Sequence, residues 1–168
     1  MSKDINQAAV YSAEDQWTVL LDRGGAVEFF GSTFDVPCQK RFGDVSAMQN
    51  YVADAIAAMR DARGWMHLPI PTVRSRKGHT RAHYEPQTAA IAIPWDDTSL
   101  DAVWAARESV LLHECAHHIA HTRFASRIHD DSYVATMLTL VEVMLGEQAG
   151  LMLRTGYQEC GVPVPSNG

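Results

Sequence analysis

The stretch from about 100 to 121 contains no internal Gly or Pro, and a polar turn, Asp96-Asp97-Thr98-Ser99, stands before it as a helix cap. Its apolar residues, Trp104, Leu111, Leu112, Cys115, Ala116 and Ile119, spread over too wide an arc for a surface helix. Such a helix must be packed on more than one side, so the rest of the chain is expected to be built around it. Within it lies His113-Glu114-Cys115-Ala116-His117, an H-E-x-x-H sequence. Residues four apart share a helix face, so His113 and His117 can offer two imidazole nitrogens to one ion at the ~2.0 to 2.1 Å that zinc requires. Glu114 follows the first ligand and can reach over the open side of the ion, where it would accept a proton from water. With 8 His in 168 residues and as many Glu, accident supplies such a match only about 0.02 times per chain. Two imidazoles and a carboxylate on a buried helix would also be costly without partners.

A third ligand is needed, and His121 is too far: eight residues at 1.5 Å each separate it from His113 by about 12 Å along the axis. His121 reads better as a helix-end histidine near the C-terminal partial charge. His118 points about 100° away from His117, which suits packing or support of a ligand rather than ligation. A metzincin would need Gly at 120 and His at 123; Ala120 and Arg123 exclude that class. The ligand must therefore come from another segment. His129, after a short connector, is the first choice, with Asp130 or Asp131 next and Glu142 or Glu147 behind them. The bland reading of Asp130 and Asp131 is an N-cap.

Around this helix the sequence predicts a hairpin over 17–30 turning at Arg23-Gly24-Gly25. An amphipathic helix is expected over 46–63, with Ser46 and Gln49 as a capping box and Gly64 as its stop. Three extended runs, 72–76, 81–85 and 89–93, are separated by Gly78-His79 and Pro86-Gln87 and read as an antiparallel meander. Helices over 131–145 and 147–157 follow, divided by Gly146. The expected class is α+β in a single domain spanning 1–168, with 1–9 and 163–168 frayed.

Composition narrows the function classes. Hydrophobic residues make up 46% of the chain, enough for a core, and no run approaches a membrane span. The start lacks the apolar segment of a signal peptide, so a soluble cytoplasmic protein is expected. A net charge of -6 disfavours nucleic acid and anionic lipid. The one basic patch, Arg74, Arg76, Lys77 and Arg81, reads as a solvated strand edge. Three cysteines, Cys38, Cys115 and Cys160, without a C-x-x-C pair argue against both a disulfide framework and a thiolate zinc site.

These residues are similar to a known family. The chain resembles the small actinobacterial metallohydrolases marked by an H-E-x-x-H-H signature, and more distantly the SprT-like minimal zincin metallopeptidases. The resemblance covers about 10–162: Val10-Tyr11-Ser12-Ala13-Glu14, Tyr51-Val52, Ala82-His83-Tyr84, Ile91-Ala92-Ile93-Pro94, the run 104–118, and Gly150-Leu151 through Arg154 and Tyr157. It implies a zincin-like fold, a small antiparallel or mixed sheet packed on a helical layer that contains the H-E-x-x-H helix, and one zinc ion. Such zincins carry a His, often Gly-Pro, then an aromatic residue four positions on. His129 and Tyr133 match the His and the aromatic residue, while Asp130 and Asp131 stand where Gly-Pro is common.

The expected activity is zinc-dependent hydrolysis, most simply of a peptide or protein, with zinc on His113, His117 and His129 and Glu114 as base. A further donor to the transition state would come from His83, Tyr84 or Tyr133. The strand over 89–93 is expected to border the cleft, where an extended substrate could add to it. Two other readings are a metal-stabilised interaction domain without catalysis and a protease acting on nucleic-acid-associated proteins. Four protein ligands would mark a structural site, three a catalytic one.

Overall fold

The computed structural model describes residues 3–78, 80–95 and 104–166. In chain order these form α1 (Gln7–Arg23), β1 (Gly25–Phe29), β2 (Ser32–Val36), α2 (Val45–Arg63), β3 (Thr72–Arg76), β4 (His83–Glu85), β5 (Ala90–Pro94), α3 (Glu108–Phe124), α4 (Asp131–Leu145) and α5 (Glu147–Glu159). The class is α+β: five helices pack together, with a two-stranded and a three-stranded sheet at their sides. No helix among the described residues is long and apolar enough to cross a membrane.

The expected hairpin over 17–30 is replaced by a helix and a later hairpin. Val10, Ala13, Glu14, Trp17 and Leu21 are the buried positions of α1, a 3.6-residue period that overrides the β-favouring side chains near its end. Trp17 is fully buried and donates its indole N–H to the Ala149 carbonyl at 3.2 Å, locking α1 to α5. The hairpin turns instead at Phe30 and Gly31, both at positive φ (46° and 80°), which gives the two-residue turn that follows strand twist. Helix α1 begins at Gln7, within the stretch 1–9 expected to fray, and Asp4 and Asn6 bond to His129.

Gly24 ends α1 at φ 63°, ψ -180°, and a Cβ there would lie 2.7 Å from the Cys38 backbone nitrogen. A side chain therefore meets both an unfavourable backbone region and a rigid obstacle. Gly24→Ala is expected to cost about 3 kcal/mol. A urea-unfolding midpoint equal to that of the parent would contradict this.

Helix α2 matches its expected span, but its cap is Asp44, whose carboxylate accepts from the Ala47 N–H at 2.7 Å. Gln49 is not in a capping box. Its side chain bridges the Pro71 carbonyl and the Val73 N–H, tying α2 to β3.

The three later strands exist, but not as an antiparallel meander. Their order is β3-β5-β4, with β5 parallel to β3 and antiparallel to β4. Ala90–Pro94 is buried at every position, so the most apolar strand takes the middle and the polar ones take the edges. Arg74 pairs with Glu85 across β5, Arg76 donates to the Arg81 carbonyl, and Arg81 lies over the Tyr11 ring. The expected basic patch is thus divided among separate tasks.

Helix α3 starts at Glu108, later than expected; the cap expected at 96–99 and the residues to 103 lie outside the described residues. Arg107 is held extended by its bridge to Arg41, with Glu108 N–H bonded to the Lys40 carbonyl. Eleven α3 residues are buried, including His113, Glu114, Cys115 and His118, as expected for a helix packed on several sides.

Candidate metal centre

Helix α3 places His113 and His117 one turn apart, with ring centroids 4.9 Å apart. The chain then reverses: Ala125 closes α3 at φ 57°, and Ser126 ties its hydroxyl to the Ile128 carbonyl. That short return carries His129 back over the helix face. His113, His117 and His129 come together with ligand atoms all within 4.8 Å of one another.

The distances fit an ion. Nε2 of His129 lies 3.2 Å from Nε2 of His117 and 3.5 Å from Nε2 of His113. Two nitrogens that each lie ~2.0 to 2.1 Å from a tetrahedral zinc ion are about 3.3 Å apart. The outer nitrogens agree with this. Nδ1 of His113 is 2.5 Å from Glu14 Oε2, and Nδ1 of His129 is 2.7 Å from Asp4 Oδ2. With each Nδ1 donating to a carboxylate, the Nε2 atoms face one another, and once deprotonated they turn their lone pairs to a common point where a cation fits.

Glu14 is the hub of this support. Its other oxygen accepts from Tyr133 Oη at 3.0 Å and Tyr157 Oη at 2.5 Å, both rings fully buried. Burial alone would raise the Glu14 carboxyl, but the His113 charge and hydrogen bonds from His113, Tyr157 and Tyr133 hold it below the usual range. Burial pulls His113 down, while the charge and hydrogen bond of Glu14 outweigh it and raise the imidazole to about 9. An incoming cation must displace that proton. Burial, helped by the charges of His113 and His129, holds His117 well below its ordinary value; burial likewise lowers His129. Both are thus poised as neutral ligands.

Asp4 does for His129 what Glu14 does for His113. It also accepts from the His129 backbone N–H at 3.2 Å, while Asn6 donates to the His129 carbonyl at 2.9 Å. Asp4→Asn and Glu14→Gln are each expected to weaken metal binding about 10- to 100-fold. Competition against a chromophoric chelator measures this, and parental affinity in both variants would refute the supporting roles.

Glu114 lines a cleft of about 210 Å³ between α3 and β4, together with the three histidines and His83 and Tyr84. Burial raises its carboxyl, partly offset by the charges of His113 and His83 and by the Tyr84 backbone hydrogen bond. That outcome suits a proton acceptor.

The remaining sequence candidates divide. His83 is exposed on β4, with Nε2 3.2 Å from Glu85. Tyr84 gives Glu114 its backbone bond, but its hydroxyl is engaged by Thr122. Tyr133 spends its hydroxyl on Glu14 and His113, the latter at 2.7 Å, so it supports a ligand from behind and is not a cleft donor. His118 contacts the Pro69 carbonyl at 2.8 Å and packs edge-on to Tyr84, outside the triad. Asp130 caps α4, accepting from the Tyr133 N–H, and Asp131 lies exposed in its first turn. Glu142 packs beside Gly150, and neither it nor Glu147 joins the cluster. Cys115 is a buried core thiol whose pKa burial pushes up.

Sequence reasoning missed Asp4, Glu14, Tyr11 and Tyr157 as site residues. Tyr11 stacks on His113 at 5.3 Å and meets His129 edge-on at 5.2 Å. A lone carboxylate on the apolar face Val10, Ala13, Trp17, Leu21 was the available signal for Glu14, and it becomes visible once 7–23 is taken as a helix. No protein-family model, curated protein or solved structure matches the chain. The chemistry of the site therefore carries the functional reading.

Proposed function

We propose that this chain is a zinc-dependent hydrolase of minimal zincin type, acting on peptide or protein. The observation that carries the reading is the convergence of three imidazoles, two of them held by carboxylates, beside a buried glutamate at an open cleft. Among the described residues no fourth His, Cys, Asp or Glu joins the triad. A structural site would be closed by four protein ligands, so this count favours catalysis over a metal-stabilised interaction domain.

A bound zinc ion supplies Lewis acidity and brings water toward ionisation near neutral pH. His113, His117 and His129 would hold it, oriented by Glu14 and Asp4. Glu114 accepts the proton of the attacking water and passes it to the leaving nitrogen, so one water is consumed as the C–N bond breaks. Of the three donors considered, we retain His83, whose exposed ring borders the cleft. The strand beside the cleft is β4, not the expected run 89–93, which is buried in the sheet centre. An extended peptide would lie along β4, an edge strand. Division of the Arg74 to Arg81 group leaves little support for a nucleic-acid role.

The test is a peptide library incubated with the zinc-loaded chain and read by mass spectrometry. Cleavage that stops with a chelator and returns with zinc supports the proposal. Intact peptides across the library would contradict it.

A further inference from the structure

A second cavity, of about 270 Å³, opens between α1 and the start of α3 and reaches His113 and Glu114. Trp104 and Val110 give it an apolar wall. Its polar groups are different in kind from those of the metal cleft. Ser109, 5% exposed, lines this cavity, and its buried hydroxyl has no hydrogen-bond partner among the described residues. Arg107 lines it too; one guanidinium nitrogen pairs with Asp22 at 3.1 Å, while its buried Nε–H has no partner. Arg81 stands at the exposed side, its guanidinium 4.7 Å above the Tyr11 ring, and no carboxylate pairs with it among the described residues.

All three groups can donate and two are cationic. Buried donors without acceptors are costly, so their natural complement is an acceptor-rich, anionic group. Acidic residues also line the cavity, but Glu14 is spent on His113 and the two tyrosines, Glu114 is the proposed base, and Asp15 lies exposed at the rim. Tyr11, stacked between Arg81 and His113, fixes the guanidinium two ring-stacking steps from the metal ligands. That span suits a single residue whose backbone is held at the reacting centre.

The geometry points to this cavity as the substrate pocket, selecting a residue that bears a carboxylate, with Trp104 and Val110 against its hydrocarbon part and Arg81, Arg107 and Ser109 on its oxygens. The inference rests on the hydrolase reading for its role in catalysis but not for its ligand. The carboxylate has two sources, an acidic side chain or the free C-terminus of a peptide. In either case hydrolysis adds one water across the adjacent C–N bond, leaving a carboxylate on one product and an amine on the other.

The experiment has a binding arm and a turnover arm, both on the full chain. In the first, zinc-loaded protein carrying Glu114→Gln is titrated calorimetrically with N-acetylphenylalanine, N-acetylglutamate amidated only at its α-carboxyl, and N-acetylphenylalaninamide. One of the two acids should bind about 10- to 100-fold tighter than the neutral amide, the loss expected for a charge-assisted hydrogen bond. Which acid it is names the source. Arg81→Ala and Ser109→Ala should each reduce that preference at least 5-fold, and Arg81→Lys should keep most of it. In the second arm, peptides differing only in that carboxylate are compared with the parent enzyme, and the preference should appear in KM more than in kcat. Equal binding of acids and amide, or a preference untouched by both Arg81→Ala and Ser109→Ala, overturns the inference. Selective acid binding with no peptide cleaved would sustain the pocket and sink the hydrolase reading.

Discussion

Glu114→Gln is expected to keep one zinc per chain and to lose about 10²- to 10⁴-fold in kcat, the range for removing a positioned general base. The substitution preserves size and keeps an acceptor for the Tyr84 backbone bond, so the fold should be undisturbed. What it removes is the capacity to take a proton inside the cleft. Water brought near ionisation by the ion would then lack both its acceptor and the route by which the proton reaches the leaving nitrogen. KM should change far less than kcat, because the loss falls on the transition state. Steady-state kinetics together with metal analysis of the same sample check both halves. A variant that holds zinc and turns over at the parental rate would remove Glu114 from the mechanism.

His129→Ala is expected to have the largest effect on the metal itself. Structural zinc sites gain roughly 10–16 kcal/mol from four ligands, so one ligand is worth about 3 kcal/mol, or on the order of 10²- to 10³-fold in affinity. The substitution also removes the Nδ1 bond to Asp4, while the backbone bonds of residue 129 to Asp4 and Asn6 are kept. Zinc at about 1,000 times its Kd should stabilise the parent by about 4 kcal/mol; the variant should show little of this shift at the same zinc concentration. Thermal unfolding with and without zinc makes the comparison. Equal zinc-dependent stabilisation of parent and His129→Ala would mean that the ion is held elsewhere.

The motif helix and the identity of its partner were legible because each rests on short-range rules. Spacing of four puts His113 and His117 on one face, and a short connector brings His129 back to it. The supporting carboxylates were not legible for two separate reasons. Glu14 lies in a segment whose later half, Trp17-Thr18-Val19-Leu20-Leu21, carries strand-favouring residues, while tertiary packing of Trp17 against α5 decides for helix. Asp4 lies in a polar stretch that would fray if isolated, and only its long-range bonds to His129 hold it. The sheet order failed similarly: the short turns favoured neighbouring strands in sequence order, but burial of Ala90–Pro94 from both sides required it to be central.

The most direct measurement is X-ray absorption at the zinc edge on the parent protein, with metal content determined on the same sample. The expected result is one zinc per chain, bound by three imidazole nitrogens at ~2.0 Å and one oxygen donor. Substoichiometric metal that dialysis removes, or a coordination shell without three imidazoles, would contradict a centre built from His113, His117 and His129.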